Sequence, residues 1–278
     1  MGLFSSCATK SALKKILNKG LIRVNGEKAT TATFIHGGEE IELIKEEISE
    51  PENQLEYELH VLYEDEHLAA IYKPAGIPVS GNKFKTVANA LEQNLSKSNL
   101  PDICHPQPAH RLDYPTTGVL LAGKTSSGIR ALNLMFEEKE IEKSYLAVAI
   151  GEIKKLKGDF DEAIDDKEAF TSYEVLDSVI SERFGFLNLV LLQPATGRRH
   201  QLRKHLSSRG NAILGDADYS LEGLLLKGKG LYLHAYSVEF THPFTKENLT
   251  IQAPVPKKFL KLFPTILTTA FTKLDQTQ

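Results

Sequence analysis

The stretch His110-Arg111-Leu112-Asp113-Tyr114-Pro115-Thr116-Thr117-Gly118 runs into the apolar residues Val119-Leu120-Leu121. Polar side chains followed by an apolar run are the order of a loop feeding a buried strand. Pro115 steers Tyr114 away from helical geometry, so the chain leaves Asp113 extended. Gly118 permits a tight bend or a close backbone approach just before the strand. The expected result is a carboxylate held beside an arginine at the mouth of a sheet, a place where sites are built. An aspartate with an ordinary pKa of about 3.9 is already ionised at neutral pH, so Asp113 suits a nucleophile. Taken by itself, Arg-x-Asp also describes two loop charges, one of them capping a turn.

Three other places carry groups able to work with such a carboxylate. Pro194-Ala195-Thr196-Gly197-Arg198-Arg199-His200-Gln201-Leu202-Arg203-Lys204-His205-Leu206 reads as a short helix, with Leu202 and Leu206 four apart and Gly210 as its stop. Arg198 and Arg199 fall near its start, where the helix dipole opposes a cation by roughly 0.3–1 kcal/mol. Two arginines beside free N–H groups there offer an anion site, for which phosphate is the natural candidate. Arg199 and Arg203 are four apart and so share a face. Tyr145 opens the apolar strand Lys143–Gly151, and Lys73 closes another, Leu68–Tyr72. Tyr145 taken alone reads as core packing, and Lys73 as solvated surface.

The composition narrows the class of activity. A hydrophobic fraction of 41% and a charged fraction of 25% are ordinary for a globular protein. No apolar run approaches the ~18–20 residues of a membrane span, and no secretory signal is visible at the start. Cys7 and Cys104 have no metal-ligand spacing and read as free thiols in a reducing cytosol, so a cytoplasmic location is expected. There is no glycine-rich phosphate loop, dinucleotide fingerprint or His/Cys metal cluster, so neither a cofactor nor a metal is expected. His234 and His242 read as structural. The formal charge of −3 argues against nucleic acid only as a sum. Lys10, Lys14, Lys15, Lys19, Arg23 and Lys28 face a single acid, Glu27, in their segment, and residues 196–209 carry five basic residues and no acid. Two basic islands in an acidic chain can direct an anionic polymer.

Positioning these groups needs a scaffold. Leu13, Ile16 and Leu17 predict a short helix stopped by Gly20, followed by a strand into the Asn25-Gly26 hairpin turn and a second strand after Gly37-Gly38. The acidic residues 46–56, with Pro51, suit a linker. Beyond it, residues 59–63, 68–72, 143–151, 171–176 and 186–192 predict strands, and 86–95 and 125–140 helices with Val87, Ala90, Leu91, Leu95, Ile129, Leu132, Leu134, Met135 and Phe136 turned inward. Residues 154–170 read as irregular or hairpin-like. Strands and scattered helices without a regular βαβ rhythm predict an α+β fold with a mostly antiparallel sheet.

The motifs together resemble one family. His-Arg-Leu-Asp-x-x-Thr-Thr-Gly (110–118) is similar to the active-site signature of RluA-branch pseudouridine synthases. Val61 to Leu68 with Lys73-Pro74-Ala75-Gly76 resembles the opening motif of that catalytic domain, with Tyr72 where Asn is usual. Lys143-x-Tyr145-Leu146-Ala147 resembles its second segment. Thr196-Gly197-Arg198-x-His200-Gln201-Leu202-Arg203-x-His205-Leu206 resembles its third, with Arg199 in place of a small hydroxyl residue. Gly215-Asp216, Tyr219, Leu233-His234-Ala235 and His242-Pro243 continue the match, which covers residues 59–255. Residues 10–45 resemble the S-four-like RNA-binding module, named after a small-subunit ribosomal protein, with a shortened opening helix.

That resemblance implies a layout: an RNA-binding module over residues 1–46, a linker over 47–56, and a catalytic domain over 57–278 with a long bent sheet and a central cleft. It implies Asp113 as nucleophile, Arg203 as its guanidinium partner, and Tyr145 against the target base. Arg111 would fill the space left by an everted nucleotide, and His110, Lys73, Arg198, Arg199, Lys14, Lys15 and Arg23 would meet RNA. The substrate would be a uridine in structured RNA, ribosomal or transfer, with attack at ribose carbon 1 or uracil carbon 6. Two rivals stand beside it: a glycosidase, which needs a second carboxyl group within ~5–10 Å, and a non-catalytic RNA-binding protein. No second acid travels with Asp113 in the matched motifs, and binding alone has no use for a carboxylate facing phosphates.

Overall fold

The structure is a computed structural model that describes residues 10–44 and 55–265. The chain divides into two compact units, residues 1–54 and 55–278. Most of the expected linker, like Cys7, lies outside the described residues.

In the first unit, α1 (Lys10–Lys19) precedes β1 (Ile22–Val24), β2 (Glu27–Lys28) and β3 (Ile41–Leu43), which form an antiparallel sheet in the order β2-β1-β3. Asn25 and Gly26, at φ 51° and 83°, make the two-residue turn between β1 and β2, the left-handed pair such a hairpin requires. Lys14 and Lys15 are exposed on α1, and Arg23 is exposed on β1.

The second unit is built on a ten-stranded sheet. Its strands are β4 (His60–Glu64), β5 (Leu68–Lys73), β6 (Ile103–Pro108), β7 (Thr117–Thr125), β8 (Glu142–Ile150), β9 (Lys157–Phe160), β10 (Thr171–Ser181), β11 (Gly185–Pro194), β12 (Leu233–Thr241) and β13 (Asn248–Gln252). The main path runs β4-β5-β7-β12-β8-β11-β10-β9, with β6 on β7 and β13 on β12. All pairings are antiparallel except β7 with β12. Four helices complete the unit: α2 (Val87–Asn94), α3 (Ser126–Glu137), α4 (Gln201–Ser208) and α5 (Lys257–Leu262). Thr86 and Thr125 start α2 and α3 by accepting the Asn89 and Gly128 N–H groups.

β7 is almost wholly buried, which explains its continuous apolar run. Leu120 joins a cluster with Ile71, Leu91 and Ala235 on one face. Val119 and Leu121 join Leu132, Val238 and Phe240 on the other. Each such side chain contributes ~1.5–3 kcal/mol by leaving water.

β6, β12 and β13 went unread in the sequence. β6 contains Pro106 and Pro108, a composition that argues against a central strand; it pairs only with β7. β12 carries His234 and Ser237 within a buried stretch, so its alternation is broken. Only with β12 in place does the sheet bring the start of β7 against β8. There Gly118, at φ 120°, is paired with Ala235 so closely that a Cβ would collide with the Ala235 carbonyl. Gly118→Ala is therefore expected to destabilise the protein by about 2 kcal/mol or more in urea denaturation, through strain and collision together. An unchanged midpoint would show that β7 and β12 are free to part there.

Candidate active site

Asp113 lies in the loop between β6 and β7. The Thr116 N–H donates to the Asp113 carbonyl at 3.0 Å, closing a turn over Tyr114 and Pro115. Lys73, at the end of β5, holds this turn from below. Its ammonium donates to the carbonyls of Pro74, Tyr114 and Thr116 at 2.9, 3.3 and 2.9 Å, and the Gly76 N–H donates to Tyr114 at 2.9 Å. Burial pushes Lys73 down to about 8, while the charge of Asp113 acts the other way. Lys73 is fully buried, which corrects its expected place among the RNA contacts. It has no surface to offer and staples the loop that carries Asp113.

Arg203 reaches Asp113 from α4, with Nη1 3.5 Å from Oδ2. The guanidinium is itself held by two further acids. Nε and Nη2 donate to Asp216 at 2.7 and 2.6 Å in a bidentate pair, and Nη2 donates to Asp218 at 2.7 Å. Burial alone would lower the Arg203 pKa, but these hydrogen bonds and the charge of Asp113 raise it. Arg203 is a fixed cation whose fork geometry sets where Nη1 points.

His200 stands on the other side of the carboxylate, with Nε2 3.7 Å from Asp113 Oδ1 and Nδ1 2.9 Å from the Tyr219 hydroxyl. Burial lowers its pKa most, Asp113 acts the other way, and Arg203 and Arg199 add to the lowering, so the net shift is downward. His200 adopts φ 56°, a left-handed conformation that costs a residue with a Cβ ~1–2 kcal/mol. Strain of this kind gathers at sites. Gln201 holds the strained segment by accepting from Thr196 Oγ1 and the Arg198 N–H at 2.8 and 2.9 Å and donating to the Phe170 carbonyl at 2.9 Å.

Tyr145 completes the set from β8, where it pairs with Ala235 of β12 and Leu192 of β11. Burial raises its pKa, and Asp113 raises it further, so it rests as the phenol. Asp113, Tyr145, Arg203, Arg111, Arg198 and Arg199 line one cavity of about 340 Å³, within the ~300–1,000 Å³ usual for small-molecule sites. Asp113 is 18% exposed there, enough to be met by a ligand.

Two of the surrounding expectations change. His110 accepts the Leu121 N–H at 3.0 Å through Nε2, packs on Phe136 with ring centres 4.7 Å apart, and is pushed down to about 3 by burial. It is a neutral ring tied to the β7 backbone, so an RNA contact by His110 would be an uncharged one. α4 begins at Gln201, so Arg198 and Arg199 precede the helix, and the expected sharing of a helical face by Arg199 and Arg203 does not hold. Arg199 is exposed and Arg203 is buried. Arg198 is anchored by Nε to the Glu168 carbonyl at 2.8 Å.

Sequence reasoning gave no role to Asp216, Asp218 or His200, although Asp216 and His200 fell inside matched motifs. The argument that no second acid accompanies Asp113 is corrected accordingly, because Asp216 and Asp218 share its arginine. Asp216 is not free for acid–base work. Its Oδ2 accepts from Arg203, and its Oδ1 accepts from Arg203 and from the N–H groups of Asp218 and Tyr219. Its side chain is fully buried, whereas that of Asp218 is 61% exposed. Breaking a buried pair costs ~3–5 kcal/mol, and an exposed one about 0–1 kcal/mol. Asp216→Asn is thus expected to lower unfolding free energy by about 3 kcal/mol, and Asp218→Asn by under about 1 kcal/mol. Equal losses in denaturant titrations would show that Asp216 is not what holds Arg203.

Residues 67–208, about half of the chain, match the family model for RNA pseudouridylate synthase. An uncharacterized RNA pseudouridine synthase of Aquifex aeolicus is 31% identical over 92% of this chain and 88% of its own. The ribosomal large subunit pseudouridine synthase C of Escherichia coli is 30% identical over 88% of this chain and 85% of its own. Among solved structures, human RNA pseudouridylate synthase domain containing 4 is similar with a TM-score of 0.59 and 26% identity, covering 72% of this chain and 90% of that one. Matched across half its length by the family model and along most of it by these relatives, the chain belongs to the RNA pseudouridylate synthase family and is an isomerase.

Proposed function

We propose that this enzyme isomerises uridine in large-subunit ribosomal RNA through a covalent step at Asp113. The observation that carries the reading is the placement of one part-exposed carboxylate 3.5 Å from a fixed guanidinium, on the wall of a cavity shared with Tyr145. The choice of RNA rests on relatives named as ribosomal large subunit synthases. It also makes the cytoplasm the expected place of action.

A uridine in folded RNA must leave its stack before Asp113 can reach it. Arg111 is exposed at the cavity edge, suited to fill the vacated space. The Asp113 carboxylate then bonds to ribose carbon 1, displacing N1, or adds to uracil carbon 6 before the ribose–N1 bond breaks. The base turns, C5 bonds to ribose carbon 1, and the bond to Asp113 breaks to release the free carboxylate. In net terms the bond from ribose to N1 is replaced by one to C5, the C5 proton departs, and N1 gains one. No oxidation state changes.

Tyr145 receives the base, with stacking contributing ~1–3 kcal/mol, and assists removal of the C5 proton. Part of what keeps it a phenol is the charge of Asp113. That charge is used up when the covalent bond forms, which moves the phenol toward a base. The N-terminal unit, with Lys14, Lys15 and Arg23 exposed, adds a second RNA contact of the S-four-like kind.

Asp113→Asn is expected to abolish tritium release from ribosomal RNA carrying uridine labelled at carbon 5, with the fold intact by circular dichroism. Normal release by that variant would remove the covalent assignment. Tyr145→Phe keeps the ring and loses the hydroxyl. Its turnover is expected to fall by about 10²-fold, the lower range for a general base, while RNA affinity stays as it was. Full turnover would leave Tyr145 with stacking alone.

A further inference from the structure

A second concavity, of about 500 Å³, adjoins the catalytic cavity. Arg111, Tyr145 and Arg198 are common to both. Beyond this shared wall it passes Phe136 and reaches Lys139 and Lys143. One acid, Glu137, stands on its rim.

The local structure places both lysines there. Lys143 lies two residues before Tyr145 on β8, and strand alternation sends the two side chains to one face. Lys139 follows the last turn of α3 at φ 61°. Helices often end in a left-handed residue, usually Gly or Asn. A lysine accepts the strain of a Cβ in that conformation and brings a charge to the rim in return.

Among the described residues, Arg111, Lys139 and Lys143 form no ion pair with any acid, whereas Lys124, Lys157, Lys204 and Arg209 are each paired. Lys143 is half-buried. Burial lowers its pKa, and the neighbouring Lys139 lowers it further. Two unpaired ammoniums that disfavour one another gain most from an anion set between them.

The wall behind them is aromatic rather than acidic, formed by Phe136 against the neutral His110. We propose that this concavity seats the nucleotide next to the everted uridine, its phosphodiester held by Lys139, Lys143 and Arg198. The proposal deepens the functional reading above and rests on the uridine entering the neighbouring cavity.

The test uses the full chain and large-subunit ribosomal RNA transcribed with uridine tritiated at carbon 5. Wild-type enzyme, Lys139→Met/Lys143→Met and Lys139→Arg/Lys143→Arg are compared in tritium release and filter binding over a series of salt concentrations. The Met pair is expected to raise KM about 10-fold with kcat unchanged. It should also shallow the slope of log affinity against log salt by about 0.7–1, the loss of one phosphate contact. The Arg pair keeps both at wild-type values.

An unchanged KM and salt slope in the Met pair overturns the proposal, as does a fall in kcat alone. Should the double variant fail to fold, Lys139→Met at its exposed position carries the same comparison. Failure of the wild-type enzyme to release tritium tells against the functional reading instead, so the two are separable.

Discussion

The buried guanidinium of Arg203 is the constraint on which the site depends. Removing a charge from water costs several kcal/mol, and that cost is offset only by good geometry and full hydrogen bonding. Asp216 supplies both, taking Nε and Nη2 in a planar fork, and Asp218 closes on the remaining side of Nη2. One nitrogen, Nη1, is left facing Asp113. Its position is decided by the acids behind it, so the cation that faces Asp113 is aligned by groups that do not line the cavity.

This arrangement also sorts charge by depth. The inner site holds Asp113 and the buried Asp216 on either side of one guanidinium, and the rim is set with Arg111, Arg198 and Arg199. A phosphate is drawn to the rim and discouraged from the floor, whereas a neutral pyrimidine meets no such opposition. The electrostatics thus suit a polymer that stays outside while one base goes in. Lys73 adds a cation below the Asp113 loop, spent on backbone carbonyls rather than on substrate. Its burial turns the loop into a part of the sheet, which is how an irregular segment holds a reacting group steady.

Much of this was legible in the residues, and the rest fails for identifiable reasons. The buried run of β7 is legible within a dozen residues, because a loop before a strand is a local matter. The Asn25-Gly26 turn is legible for the same reason. Asp113 and Tyr145 stand out only through the motifs they share with a family. β6 was hidden by its prolines, and β12 by the polar residues it buries. Lys73 was misread because a polar residue beside a motif looks available to a ligand. It is turned inward and donates to carbonyls.

By itself the sequence singled out Asp113, Arg203 and Tyr145 as candidates, through motifs that resemble those of one family, and showed which faces of the strands meet the core. The strand faces follow from a two-residue period, which needs no distant partners. Tertiary structure alone decided which acid holds Arg203, that His200 flanks Asp113, and that Lys73 is a staple. Arg203 and Asp216 lie 13 residues apart, Lys73 and Thr116 lie 43 apart, and His200 and Asp113 lie farther still, so none of these contacts belongs to a single element. A hydrogen bond between separate segments leaves no periodic trace in composition, because its energy is realised only after the backbone entropy of bringing them together has been met.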